Sequence, residues 1–193
     1  GAKRSEAKAW IDDQLTKINS QNSAFLESLS KICKNYGFYK EGLRFVEELE
    51  KNIISISEGI KLKPYVSKKE VMKIKAECLT RLGKYEQAAS ILYSLWQSIS
   101  DKSSKDAYDI LSMLAAQFKR RAMVPNDDRS QQLSYIDIKL LKSATDLYLA
   151  AFKVSPDEYY PAINAAYLYK IMEKLSPGYL RISSGTGTKL AEY

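Results

Sequence analysis

The sequence predicts an all-α fold of about eight helices, joined in series as helical hairpins. Three observations predict it. Every apolar segment repeats at spacings of three and four, which places each set on one helix face. Glycine and proline are scarce among the 193 residues, at 8 and 5 copies, whereas all-β folds consume both in their many turns. One glycine-centred turn segment also occurs twice between consecutive apolar stripes.

Taken in order, Trp10, Ile11, Leu15 and Ile18 mark a first amphipathic helix. Phe25, Leu26, Leu29, Ile32 and Cys33 mark a second, and Leu43, Val46, Leu49, Ile53 and Ile54 a third. Ser67 and Glu70 have capping-box spacing, in which each side chain satisfies an end N–H of the other residue. They open a fourth helix with Val71, Ile74, Cys78 and Leu82, which Gly83 ends through a left-handed turn. Tyr85, Ala88, Ala89, Leu92, Leu95, Trp96 and Ile99 form the fifth. A sixth covers roughly 104–123 with Leu111, Leu114, Ala115 and Phe118 inward, and VPNDDRSQQ (124–132) breaks it. The seventh carries Leu140, Leu141, Ala144, Leu147, Tyr148, Ala151 and Phe152.

The segment PDEYYPAINAAYLYK (156–170) then stops and restarts the chain. Pro156 cannot continue a helix and pushes Ser155 out of the helical region. Pro161 suits the first turn of a new helix, where its missing N–H is not needed. One proline therefore closes the seventh helix and the other opens an eighth, with Ile163, Ala166, Tyr169 and Met172 expected inward. Residues 1–175 are expected to form one helical-repeat domain and 176–193 a loop-like tail. The tail's GTGTK fragment lacks the GxxxxGK[ST] spacing of a phosphate loop. Gly1-Ala2 reads as a cloning remnant or a cut boundary, so the natural protein is expected to be longer.

A repeat lies beneath these helices. YGFYKEGLRFVEEL (36–49) and LGKYEQAASILYSL (82–95) align without a gap: a glycine, an aromatic two later (Tyr39, Tyr85), a small residue three further on (Gly42, Ala88). The glycine makes the turn, the tyrosine packs across it, and the small residue lets two helices approach. This pattern resembles the core of a tetratricopeptide repeat (TPR). Ala144, Tyr148, Ala151 and Pro156 resemble the second helix of a third copy, and Ala162, Ala166 and Tyr169 start a fourth. The resemblance implies a right-handed α-solenoid. More narrowly, LAAQFKRRAM together with residues 140–172 resembles the TRAF-binding helical-repeat region of apoptosis-signal-regulating MAP kinase kinase kinases and its bacterial relatives. There, a basic helix like Gln117 to Arg120 precedes a repeat helix. A Tyr-x-Gly-Ile-Asn-x-Ala segment follows, matched here by Tyr160, Ile163, Asn164 and Ala166, with Ala162 in place of the glycine. That likeness implies a signalling scaffold and transfers no catalytic residue.

Composition narrows the chemistry. Histidine is absent, which removes Ser-His-Asp and Cys-His catalysis and His-ligated metals. Cys33 and Cys78 sit in apolar helical patterns and read as buried free thiols of a reducing, cytoplasmic compartment. No apolar run reaches the roughly 20 residues a membrane helix needs. Asp127-Asp128 lies in a polar insertion that implies no pocket. The expectation is a protein that is not an enzyme and needs no cofactor or metal.

In stacked repeats the first helix of each hairpin lines the concave face. Counting from each turn places Lys31 and Lys34, then Lys73, Glu77 and Arg81, then Lys119 and Arg120, and last Asn164, Tyr167 and Lys170 on that face. With a formal charge of +7, this surface is expected to favour a protein or an acidic peptide. Lys73, Arg81, Lys119 and Arg120 are expected to supply much of the attraction. Of the 14 tyrosines, Tyr159, Tyr160 and Tyr167 are the candidates for ligand contact. A nucleic-acid-binding module using the basic face is the alternative, although no side chain recurs at base-reading positions.

Overall fold

The computed structural model describes residues 2–59, 67–123 and 136–176, with side chains described from Lys3 onward and, in the third helix, as far as Ile53. Eight α-helices occur among them: α1 (Ala2–Thr16), α2 (Ser23–Tyr36), α3 (Tyr39–Gly59), α4 (Lys68–Arg81), α5 (Tyr85–Ser98), α6 (Lys105–Met123), α7 (Ile138–Val154) and α8 (Tyr159–Leu175). A short 3-10 turn, Ile18–Ser20, follows α1, and no strand occurs among the described residues. The all-α fold of helical hairpins is therefore as the apolar spacing predicts. The chain divides into two compact units between Gln97 and Ser98. The VPNDDRSQQ insertion, Asp127-Asp128 and the tail from 177 on, GTGTK included, lie outside the described residues.

In the first unit α2 packs on α3, α3 on α4, and α1 on α3. Ile11, Leu15, Leu26, Leu29, Cys33, Phe45, Leu49, Val71, Ile74 and Cys78 share one buried cluster. The two thiols are free and buried, as expected. Burial, the larger cause in each case, pushes the Cys33 thiol up to about 12 and the Cys78 thiol up to about 11. Both face Gly42 of α3. A methyl at that position would meet Cys33 Cβ at 3.1 Å and Cys78 Sγ at 3.3 Å. The small residue of the repeat is thus where three helices close on one another.

The repeated turn has one geometry in both copies. Gly37 and Gly83 have φ of 80° and 76°, the left-handed region that side chains disfavour. In each, the following N–H donates to the carbonyl five residues back: Phe38 to Cys33 at 2.8 Å and Lys84 to Leu79 at 2.9 Å. This is the hydrogen bond of a Schellman ending. Tyr39 packs across its turn, its ring and hydroxyl reaching about the contact distance of a methyl at Gly37. At Gly83 nothing lies within 4 Å of such a methyl, so Tyr85 does not repeat that cover.

The capping box is not formed. Ser67 is the N-cap of α4, but its side chain makes no cap hydrogen bond. Glu70 instead reaches Lys73, at 3.6 Å. Caps do form at Asn22, whose Oδ1 accepts from Phe25 N–H, and at Asp137, which accepts from Lys139 and Leu140 N–H. Two expected core residues also turn outward. Trp10 and Ile32 are exposed, while Ile11, Leu29 and Cys33 beside them are buried.

In the second unit α7 packs between α6 and α8. Ala107, Ile110, Leu111, Leu114, Leu141, Ala144, Tyr148, Ala151, Leu168 and Met172 are buried, each large apolar side chain contributing about 1.5–3 kcal/mol. The two prolines behave as expected. α7 ends at Val154, Ser155 is non-helical with φ −137° and ψ 85°, and Pro161 sits buried in the first turn of α8. The inward face of α8 differs from expectation. Pro161, Ala165, Leu168 and Met172 are buried, whereas Ile163, Ala166 and Tyr169 are exposed. Both sets have helical spacing, and the stripe that includes the proline is the one α7 covers.

Candidate functional site

The two units treat their basic residues differently. In the first unit Lys34 of α2 reaches across to Glu77 of α4 at 2.8 Å. Lys31 pairs with Glu27 one turn away, and Lys73 with Glu70. Arg81 is exposed at the end of α4. Each of those three lysines therefore meets a carboxylate, and the charge available to a partner is correspondingly small.

In the second unit the corresponding contact between first helices joins Lys119 of α6 to Asn164 of α8. Lys119 Nζ donates to Asn164 Oδ1 at 2.7 Å. The amide is held the right way round because its Nδ2 donates to the Tyr160 carbonyl at 2.9 Å. Lys119 Nζ also lies over the Tyr148 ring, 5.7 Å from its centroid, a cation–π contact. Its partners are thus a neutral amide and an aromatic face. Neither Lys119 nor Arg120 has a carboxylate partner among the described residues, and both are only half-buried. Their charge is not cancelled locally.

Tyr148 forms the floor beneath this pair. It is 0% exposed, and the Tyr160 ring stands edge-on to it, with centroids 6.0 Å apart and planes at 79°. The Tyr148 hydroxyl is buried with no hydrogen-bond partner among the described residues, and so is that of Ser112 on α6. Each lies near another hydroxyl, Tyr160 for Tyr148 and Tyr108 for Ser112, but outside hydrogen-bond geometry. Burial pushes the Tyr148 phenol up, Tyr160 adds to the shift, and the Arg120 guanidinium opposes it. The Tyr108 phenol is also raised, first by burial and next by the Glu158 carboxylate. The face between α6 and α8 is therefore basic at Lys119 and Arg120 and acidic near Tyr108, where Glu158 and Asp109 lie.

Beside this pair α8 presents an exposed apolar stripe. Tyr159 is 73% exposed, Ile163 60% and Tyr167 58%. These residues are one helical turn apart and share a face. Lys170 continues that face and meets Glu173 at only 4.0 Å, both side chains exposed.

Of the residues expected from the sequence, Lys119, Arg120, Asn164 and Tyr167 fall in one neighbourhood, with Lys170 one turn beyond. Lys31, Lys34, Lys73, Glu77 and Arg81 belong to the first unit. Counting along first helices did not reveal Tyr108, Ser112 or Tyr148. The first two were within reach, because Tyr108, Ser112, Ala115 and Lys119 fall at intervals of four, three and four and so share a face of α6. Among the described residues no group of three or more His, Cys, Asp or Glu residues could hold a metal. No described helix is long and apolar enough to cross a membrane.

A family model, Tetratricopeptide Repeats-Sensor, matches residues 38–169, which is more than half of the chain and runs from α3 through the Gly83 turn to the α6–α8 face. No curated protein and no solved structure matches the chain.

Proposed function

The chain belongs to the Tetratricopeptide Repeats-Sensor family, and we propose that it is a non-enzymatic protein-binding module whose partner docks on the α6–α8 face of the second unit. Repeats of this type generally mediate protein–protein interaction. The observation that carries the choice of face is the coincidence of three things there: a lysine whose polar partner is a neutral amide, two buried hydroxyls without partners among the described residues, and an exposed Tyr159–Ile163–Tyr167 stripe. Exposed apolar side chains grouped on one helix mark contact surfaces more often than isolated ones do. The family name attaches sensing to the repeats. Together with the likeness of residues 114–172 to the TRAF-binding region of apoptosis-signal-regulating kinases, it supports a regulatory role within a larger cytoplasmic signalling protein.

The test starts from affinity capture with the native host's proteins. The captured partner is identified, purified and titrated by calorimetry against the wild type and an Ile163→Asp/Tyr167→Asp variant. Both positions are exposed, so circular dichroism and melting temperature are expected to stay unchanged while binding is lost. A variant that binds the purified partner as tightly as the wild type would overturn the assignment of this face.

A further inference from the structure

We propose that the Lys119–Asn164 pair is an anchor for an acidic side chain, so that the partner of the α6–α8 face presents an aspartate or glutamate there. The proposal rests on the protein-binding reading above and names the chemistry that this face selects.

The two units supply the contrast. Where Lys34 crosses from one first helix to the next it finds Glu77. Where Lys119 makes the corresponding crossing it finds Asn164. An amide oxygen accepts one of the three ammonium donors and cancels none of the charge. A carboxylate arriving from outside would use the remaining donors of Lys119, with the Arg120 fork beside it on the same turn. Charge-assisted bonds of that kind are the stronger class. The Tyr148 ring below keeps the ammonium in place over its face. Tyr160 and Tyr167, both exposed, flank the position and can cover the aliphatic part of an acidic side chain.

The field along the face also selects among anions. Glu158 lies at the Tyr108 end, and Asp109 is on the same turn of α6 as Tyr108. A continuous phosphate backbone laid along this face would meet those carboxylates after passing Lys119 and Arg120. A protein segment with one acidic side chain followed by uncharged or basic residues meets no such repulsion. This favours a peptide over RNA.

Two variants test the proposal without disturbing the core. Asn164→Asp is nearly isosteric and supplies the missing carboxylate from within, recreating the Lys34–Glu77 arrangement. Lys119→Gln removes the cation. The first probe is an acetylated Leu-Glu-Glu-Leu amide titrated into isotope-labelled protein, followed through the backbone amide signals of Lys119, Arg120 and Asn164. A Leu-Gln-Gln-Leu amide and an oligouridylate run as parallel arms. The glutamate peptide is expected to shift those signals saturably and the glutamine peptide not at all. Each substitution should weaken binding by about ten-fold, in keeping with a close, partly desolvated charge pair. Equal response to the two peptides, no response to either, or tighter binding of the oligouridylate would overturn the proposal.

The same variants are then titrated against the captured partner. Loss of binding in both Asn164→Asp and Ile163→Asp/Tyr167→Asp is the expected result. Loss only in the latter would leave the docking face standing and remove the acidic anchor. Loss in neither would remove both.

Discussion

Replacing Tyr148 by Phe should stabilise the second unit, although it deletes a polar atom from the core. The ring is 0% exposed and stays in place, edge-on to Tyr160 and under Lys119. Only the hydroxyl goes, and that hydroxyl has no hydrogen-bond partner among the described residues. Burying an unsatisfied hydroxyl costs about 1–3 kcal/mol, so its removal should return about 1–2 kcal/mol. For a unit of roughly 100 residues each kcal/mol moves the melting temperature by about 4–8 °C, which is readily seen in a far-UV circular dichroism melt. The cation–π contact survives, since Phe presents the same face to Lys119. Tyr148→Ala is the control: it empties the floor between α6 and α8 and should cost about 3–5 kcal/mol. A Tyr148→Phe protein that melts below the wild type would refute the reasoning. It would mean that the phenol is bonded, with Tyr160 as the candidate partner.

Two further outcomes follow from the packing. Ala88→Leu and Ala144→Leu, each at a fully buried small residue, should overpack their helix contacts and cost about 1–3 kcal/mol by thermal or urea denaturation; unchanged melting in both would mean that the repeat register is wrong. Cys33 and Cys78 should resist iodoacetamide in the folded protein at neutral pH and react at once in denaturant. Their folded-state pKa values are raised, from the ordinary 9.0 to about 12 and about 11, so their contribution to stability is full below pH 9. It should be lost as pH rises toward 11–12, because the unfolded thiols ionise first. A Cys33→Ala/Cys78→Ala protein should show a shallower alkaline loss than the wild type; identical slopes would count against buried, neutral thiols.

Much of this architecture was legible because it is written in local spacing. The glycine turns at 37 and 83 require a left-handed residue and have one. The residues three beyond the tyrosines, Gly42 and Ala88, are both buried, as their small size suggests. Pro156 and Pro161 mark the α7–α8 corner by chemistry alone. The orientation of α8 was not legible, because apolar residues run round most of its circumference. Ile163–Ala166–Tyr169 and Pro161–Ala165–Leu168 are both helical stripes, and tyrosine is equally at home in a core or on a surface. Only the position of α7 decides between them. The site was half legible for a similar reason. The cations could be placed on first helices by counting, but whether each is neutralised depends on a residue far away in sequence, Glu77 for Lys34 and Asn164 for Lys119. The capping box fails for a local reason, since Glu70 lies toward Lys73 three residues on in the same helix.

The most direct measurement of the central claim is site-specific photo-crosslinking. A benzophenone side chain is introduced at Tyr167 on the exposed stripe of α8 and, separately, at Gln87 on the exposed side of α5. Each protein is irradiated with the purified partner, with and without the Asn164→Asp change. The account predicts that position 167 crosslinks to the partner, within a few residues of an aspartate or glutamate, and that Asn164→Asp suppresses the crosslink while position 87 gives none. Equal crosslinking at the two positions, or a crosslink at 167 that is indifferent to Asn164→Asp and maps to a segment without acidic residues, would contradict it.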